Sequence, residues 1–241
     1  MTRTIGFSTG AIAKSDYTAA LQALRRHHVR AVELSALRFS ELHPLIQALP
    51  NLDLSHFQAI SFHAPSGFDA SQEESVVRAL QQVAALNIPI VIHPDVIYSY
   101  QRWAQFRDLL LIENMDKRKP IGRTADELSI AFAQLPQARL CFDIGHARQI
   151  DPTMSEARKI LERFAGRLAE IHLSEVNSSS RHDPLSSYAI EAFQSVAHLI
   201  PENVPVILES LIDQGQTDIP TEIARAALAL QAPKASLLTS V

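Results

Sequence analysis

The amino-acid sequence predicts an α/β protein, a single (β/α)8 barrel. Three observations predict it. Eight short runs rich in Val, Ile, Leu and Phe alternate with amphipathic stretches along the chain. Those runs are too apolar for a sheet with one wet face, as buried parallel strands are. The length, 241 residues, is that at which eight such units close on themselves. An open doubly wound sheet is the alternative. It would not require eight even units, and it usually begins on a glycine-rich turn, which this chain lacks.

The first strand is expected over 3–8 (RTIGFS), followed by DYTAALQALRRHH, where Ala19, Leu21, Ala23 and Leu24 fall on one helical side opposite charge. Strands follow at 29–34 (VRAVEL) and 58–63 (QAISFH). SQEESVVRALQQVAAL then opens with Ser71 and, three residues on, Glu74, the spacing of a capping box. The fourth strand is 88–93 (IPIVIH), and the short aromatic stretch behind it (Tyr98, Tyr100, Trp103, Phe106) packs a short helix onto the barrel. After 109–113 (LLLIE), TADELSIAFAQL repeats the capping spacing with Thr124 and Glu127. After 138–143 (ARLCFD), TMSEARKILERFAG sets acids early and Arg163 late, as a helix dipole prefers. Strands at 168–173 (LAEIHL) and 204–209 (VPVILE) are followed by the helical patterns SYAIEAFQSVAHLI and PTEIARAALALQ. No linker, repeat or low-complexity tract interrupts residues 1–241, so one domain is expected, with a tail from about 233 that frays or packs underneath.

Composition narrows the function classes. A net charge of −4 argues against a protein held to nucleic acid or membrane by positive charge. The single Cys141 excludes an internal disulfide and a multi-cysteine zinc site, so a reducing cytoplasm is the expected setting. No apolar leader opens the chain, and no window nears the ~18 apolar residues of a membrane helix. Neither GxGxxG nor GxxxxGK[ST] occurs, which removes the common nucleotide loops.

The chemistry collects at strand ends. The third ends in SFHAP (His63), the fourth in VIHPD (His93), the fifth in LIENMD (Glu113) and the sixth in CFDIGH (Asp143, His146). The seventh ends in IHLSE (His172) and the eighth in ILES (Glu209), while a loop after the seventh adds Arg181, His182 and Asp183. In this barrel all strand ends open on one face, where active sites are built. One histidine at a strand end is commonly a hydrogen-bonded structural residue, but six consecutive strands would not deliver such groups for packing. Imidazoles and carboxylates are ligands for Zn²⁺ or Mn²⁺. The D-x-x-H step from Asp143 to His146 is expected to leave its strand and turn into the following loop. The run Asp116-Lys117-Arg118-Lys119 with Arg123 reads as a solvated basic loop rather than a phosphate site. Glu33 is an extra polar contact at the second strand's end, Glu170 shares the parity of His172 without an evident role, and Cys141 reads as core. His27, His28, His43, His56 and His198 read as ordinary surface or packing residues.

Taken in order, SFHAP, VIHP, LIEN, FDIGHA, IHLSE, SRHD and ILES resemble the xylose-isomerase-like TIM-barrel superfamily, across nearly the whole chain. That superfamily includes sugar and sugar-phosphate isomerases and epimerases and the apurinic-site endonucleases. The ketose epimerase branch implies one divalent metal on Glu113, Asp143, His172 and Glu209, with Glu113 and Glu209 as proton acceptor and donor. His146 and Arg181 then orient a carbohydrate substrate, with His63, His93 and His182 as further substrate contacts, and the reaction runs through a metal-stabilised enediolate. Arg181 lies farther from His172 than that branch's arginine does. The endonuclease branch implies two or three zinc ions, with His63, His93, His146 and a D-R-H triplet joining the ligands to make a phosphoester hydrolase. Here the triplet reads Ser180-Arg181-His182, without its Asp. The leading expectation is the isomerase or epimerase; the hydrolase and a non-catalytic metal-binding barrel are the alternatives. A homo-oligomer stays open, since barrels of this size are often dimeric or larger.

Overall fold

The computed structural model describes residues 3–212 and 217–231; the expected tail from about 233 lies outside them. Eight parallel strands close a barrel: β1 (Ile5–Ser8), β2 (Ala31–Ser35), β3 (Ala59–His63), β4 (Ile90–Ile92), β5 (Leu110–Glu113), β6 (Arg139–Asp143), β7 (Leu168–Leu173) and, after a two-stranded ribbon of β8 (Glu175–Val176) and β9 (His182–Asp183), β10 (Val206–Leu208). β10 pairs with both β7 and β1, which completes the circle. All eight barrel strands fall within the runs expected from the sequence or one residue beyond.

The barrel has two layers because strand residues alternate. One set, including Phe7, Val32, Leu34, Phe62, Ile90, Ile92, Ile112, Leu140, Phe142, Ile171 and Leu208, joins one large core with the surrounding helices. The other set begins low with Val91, Leu111 and Cys141, which pack with one another and Ala169. Two residues further along the same strands stand His93, Glu113 and Asp143. The period of two therefore places apolar fill below and donor atoms above.

Helices α2 (Tyr17–Arg26), α4 (Glu73–Ala85), α6 (Ala125–Gln134), α8 (Ser155–Arg163), α9 (Ser187–Ala197) and α10 (Ile219–Ala229) stand where the amphipathic patterns fall. Their starts differ from expectation in one place. Thr124 caps α6 through the Glu127 N–H, but Ser71 caps nothing: α4 begins after Gln72 without a side-chain cap. α5 (Tyr100–Trp103) is short, and its Trp103 is buried against Phe68 and Phe106 as expected.

Two helices escape the sequence patterns, besides the one-turn-and-a-half α1 (Thr9–Ala13). α3 (Phe39–Ala48) carries Pro44 in its interior. An interior proline costs about 3 kcal/mol, but Leu42, Leu45 and Ile46 are buried on one face, each contributing about 1.5–3 kcal/mol. Packing therefore outweighs the lost hydrogen bond. α7 (Ile144–Ile150) starts directly on Asp143, so the D-x-x-H step is a helix N-terminus and not a loop. Among the described residues no helix is long and apolar enough to cross a membrane.

Candidate metal centre

Neighbouring strands bring the strand-end donors together. In the β6–β7 register Asp143 lies beside His172, and Glu209 follows β10, donating its N–H to the Leu173 carbonyl at 3.2 Å. Asn114 ties β5 to β6 in both directions: its amide donates to the Asp143 carbonyl, and its side-chain oxygen accepts the Asp143 N–H, both at 2.8 Å. Asp143 Oδ1 accepts the His146 backbone N–H at 2.7 Å, capping α7 and leaving Oδ2 to face the centre. Gly145 is required here, since a Cβ would meet the Ser174 carbonyl at 2.5 Å.

Glu113, Asp143, His172 and Glu209 form a set whose ligand atoms all lie within 4.8 Å of one another. Glu113 belongs to a second set with His63 and His93, whose Nε2 atoms are 3.1 and 3.2 Å from its Oε2. A third set joins Asp143 with His146 and His182. The ribbon of β8 and β9 carries His182 to 3.2 Å from Glu209 Oε2. Arg181 lines the same pocket, half-exposed, its Nε 3.5 Å from Asp183. Thus the structure brings all nine expected site residues to one rim, with Arg181 at the edge. Asp183 accepts the Asn177 amide at 2.7 Å, while the Ser180 hydroxyl bonds Gln149.

Several buried atoms are consistent with a cation. Asp143 Oδ2, His172 Nδ1, Glu209 Oε2 and His146 Nε2 are buried without a hydrogen-bond partner. Such atoms are costly unless something pairs with them. The tautomers agree with that: His63 Nδ1–H and His146 Nδ1–H donate to the Ala64 and Asn114 carbonyls at 2.7 and 2.9 Å, leaving each Nε2 as a donor atom.

The electrostatics follow from burial against neighbours. Burial alone would raise Glu113, but His93, His146, His172 and His63 hold its carboxyl well below the usual range. Burial pushes Asp143 up to about 6, against the attraction of His146. Burial opposes protonation of His63 and His146, yet Glu33 and Glu113 carry the first to about 9, and Asp143 and Glu113 the second to about 10. His93 falls below its ordinary value because burial dominates. These imidazoles would release protons on binding a cation.

Around the rim three cations of the basic run are paired with carboxylates. Arg118 forks onto Asp116, Lys119 reaches Asp95 at 2.8 Å, and Arg123 pairs with Glu127. Sequence reasoning passed over Asn114 and Ser174, which the strand-end pattern does not mark. Glu33, expected as an extra polar contact, and Glu170, without an evident role in the sequence, both lie against His172 Nε2, at 3.2 and 3.3 Å. Glu113, Glu209, His63, His93, His146 and His182 line a cavity of about 560 Å³ whose other walls include Leu37, Met115 and Leu211.

No family model matches the chain, and no curated protein matches it by sequence. Solved structures match its fold. Endonuclease IV from Thermus thermophilus is 18% identical with a TM-score of 0.60, covering 94% of this chain and 97% of its own. A xylose isomerase-like TIM barrel protein from Mycobacterium smegmatis, solved in complex with magnesium, is 11% identical with a TM-score of 0.59, covering 95% and 97%. A protein from Anabaena variabilis described as a candidate sugar phosphate isomerase/epimerase is 17% identical with a TM-score of 0.56, covering 97% and 90%. The resemblance read from the motifs thus holds at the level of the fold.

Proposed function

We propose that this chain is a divalent-metal-dependent enzyme that isomerises or epimerises a small sugar or sugar phosphate. The observation that carries this reading is the set Glu113, Asp143, His172 and Glu209, with partnerless buried atoms, under a cavity of about 560 Å³. That volume suits one small molecule. The four residues would hold the ion, and a bound divalent ion supplies Lewis-acid polarisation of a substrate carbonyl. Glu209 and Glu113 flank His172, at 3.5 and 3.6 Å from its Nδ1, and act as proton acceptor and donor. Glu209 is the better-placed acceptor, because its Oε2 faces His182 at 3.2 Å, whereas Glu113 Oε2 is crowded by both His63 and His93. His146 Nε2 and Arg181 orient substrate hydroxyls, and His63, His93 and His182 complete the polar wall. Carbon-bound proton transfer by a placed base contributes about 10²–10⁴-fold.

A second reading rests on a separate observation. His63 and His93 both approach Glu113 Oε2, and with Glu113 they form a second donor set that could hold a further ion and supply the two-ion chemistry of phosphoester hydrolases. The test is elemental analysis of protein purified without chelator, joined to two assays run with and without EDTA. One assay follows solvent deuterium entering a panel of ketoses and ketose phosphates; the other follows cleavage of phosphoesters and an abasic oligonucleotide. One ion per chain with deuterium exchange supports the isomerase. Two or three ions with cleavage supports the hydrolase. A chain that binds no divalent ion refutes both and leaves a non-catalytic barrel.

A further inference from the structure

We propose that Glu170 and Glu33 are positioning residues that hold His172 from inside the barrel and aim its Nδ1 at the rim. The inference rests on the reading of Glu113, Asp143, His172 and Glu209 as ion donors.

The His172 ring is fully buried and has two distinct edges. Its Nε2 lies 3.3 Å from Glu170 Oε1, a hydrogen bond, and 3.2 Å from Glu33 Oε2. Its Nδ1 has no hydrogen-bond partner and faces Glu113 and Glu209. A neutral imidazole carries one N–H and one lone pair. Both nitrogens have two carboxylates nearby, but only Nε2 makes a hydrogen bond, to Glu170, so Nε2 carries the N–H and the lone pair belongs to Nδ1. The His63 ring, stacked at 5.9 Å with an interplanar angle of 28°, closes one face and limits rotation.

Packing does not call for these two glutamates. Elsewhere the interior below the rim is filled by Val91, Leu111 and Cys141. Glu170 stands beside Cys141 in the β6–β7 register, and Glu33 beside Ser61 between β2 and β3. Both carboxylates are nearly or wholly buried, and among the described residues no lysine or arginine is paired with either. A buried carboxylate at such a place needs a partner; Nε2 of His172 is hydrogen-bonded to Glu170 and stands 3.2 Å from Glu33 Oε2, which has no other hydrogen-bond partner. Partners of this kind fix the tautomer and orientation of a metal-ligating histidine, and their loss typically weakens binding by about 10- to 100-fold.

The competing assignment is an ion inside the barrel, since Cys141, Glu170 and His172 also lie within ligand distance of one another. It would take Nε2 and the Cys141 thiol, and it has a spectroscopic signature of its own.

The experiment is a Co²⁺ titration of metal-free wild type, E170Q, E33Q, E170D and H172Q, followed by visible absorption. It is run at a temperature where circular dichroism shows every variant fully folded, so that destabilisation alone does not change the affinity. Expected are a loss of about 10- to 100-fold in E170Q and E33Q, a larger loss in H172Q, partial rescue in E170D, and no cobalt–thiolate charge-transfer band. If E170Q does not fold, E33Q and E170D carry the comparison. Unchanged affinity in the glutamate variants while H172Q loses binding overturns the positioning role and leaves the ion site standing. A thiolate band overturns it in favour of the interior ion. Binding that is absent in wild type, or indifferent to H172Q, removes the ion reading and this inference with it.

Discussion

Replacing Asp143 with Asn separates two roles of one side chain. Oδ1 caps α7 through the His146 N–H, while Oδ2 is buried, partnerless and part of the four-donor set. Asn caps a helix about as well as Asp but carries no charge. Burial pushes the Asp143 carboxyl up to about 6, with His146 opposing and Glu209 and Glu113 reinforcing; the unfolded value is about 3.9. A group that holds its proton more tightly when folded favours the native state below about pH 4 and loses that advantage as the pH rises to about 6. Two units at 1.36 kcal/mol each give about 3 kcal/mol as the most that the ionised carboxylate costs the metal-free protein at neutral pH. D143N removes that cost. In EDTA near neutral pH it should therefore melt above wild type, by up to about 6–12 °C for a chain of this size, and the two should converge near pH 4. Added Mn²⁺ or Zn²⁺ should raise the wild-type midpoint and leave D143N almost unmoved. D143A also loses the cap, and should lie about 1 kcal/mol below D143N throughout. Thermal unfolding by circular dichroism reads all of this. A D143N that melts below wild type in EDTA near neutral pH, or whose difference from wild type does not change with pH, would refute the argument.

Three further outcomes are expected. Glu113→Gln weakens both donor sets that share the carboxylate, so elemental analysis should find less bound ion than in wild type, and turnover should fall at least 100-fold, the scale of a lost acid–base group at about 10²–10⁴. Gly145→Ala drives a Cβ towards the Ser174 carbonyl, 2.5 Å away, and towards Val176 at 2.8 Å. The strain should cost about 1–3 kcal/mol in urea unfolding and weaken metal binding by moving His146. Glu73→Ala strips one buried acceptor from three donors, the Tyr98 and Ser99 N–H groups and Trp103 Nε1, at 2.7, 2.9 and 3.0 Å. At about 1–3 kcal/mol per stranded donor it should destabilise by about 3 kcal/mol or more while leaving Co²⁺ affinity unchanged.

What was legible in the sequence follows from where the local pattern is decisive. The strands could be read because outward positions such as Phe62, Ile90, Ile112 and Phe142 must be apolar, and the next residue inward then shows its own chemistry: His63, Val91, Glu113, Asp143. Burial of the whole barrel exempts neither face, so a carboxylate ending an apolar run is already a signal. Helix α3 could not be read so directly, because Pro44 breaks the propensity that Leu42, Leu45 and Ile46 restore only through tertiary packing. The D-x-x-H step was recognised as chemistry but not as a helix start, since Asp143 is at once the last residue of β6 and the cap of α7. Glu33 and Glu170 mark the limit. The parity of Glu170 with His172 was visible, but closure of the sheet is what brings β2 within reach of β7, and no spacing along the chain encodes that approach. Residues that face the rim declare themselves by type, whereas those that support them from below become intelligible only when the eighth strand has met the first.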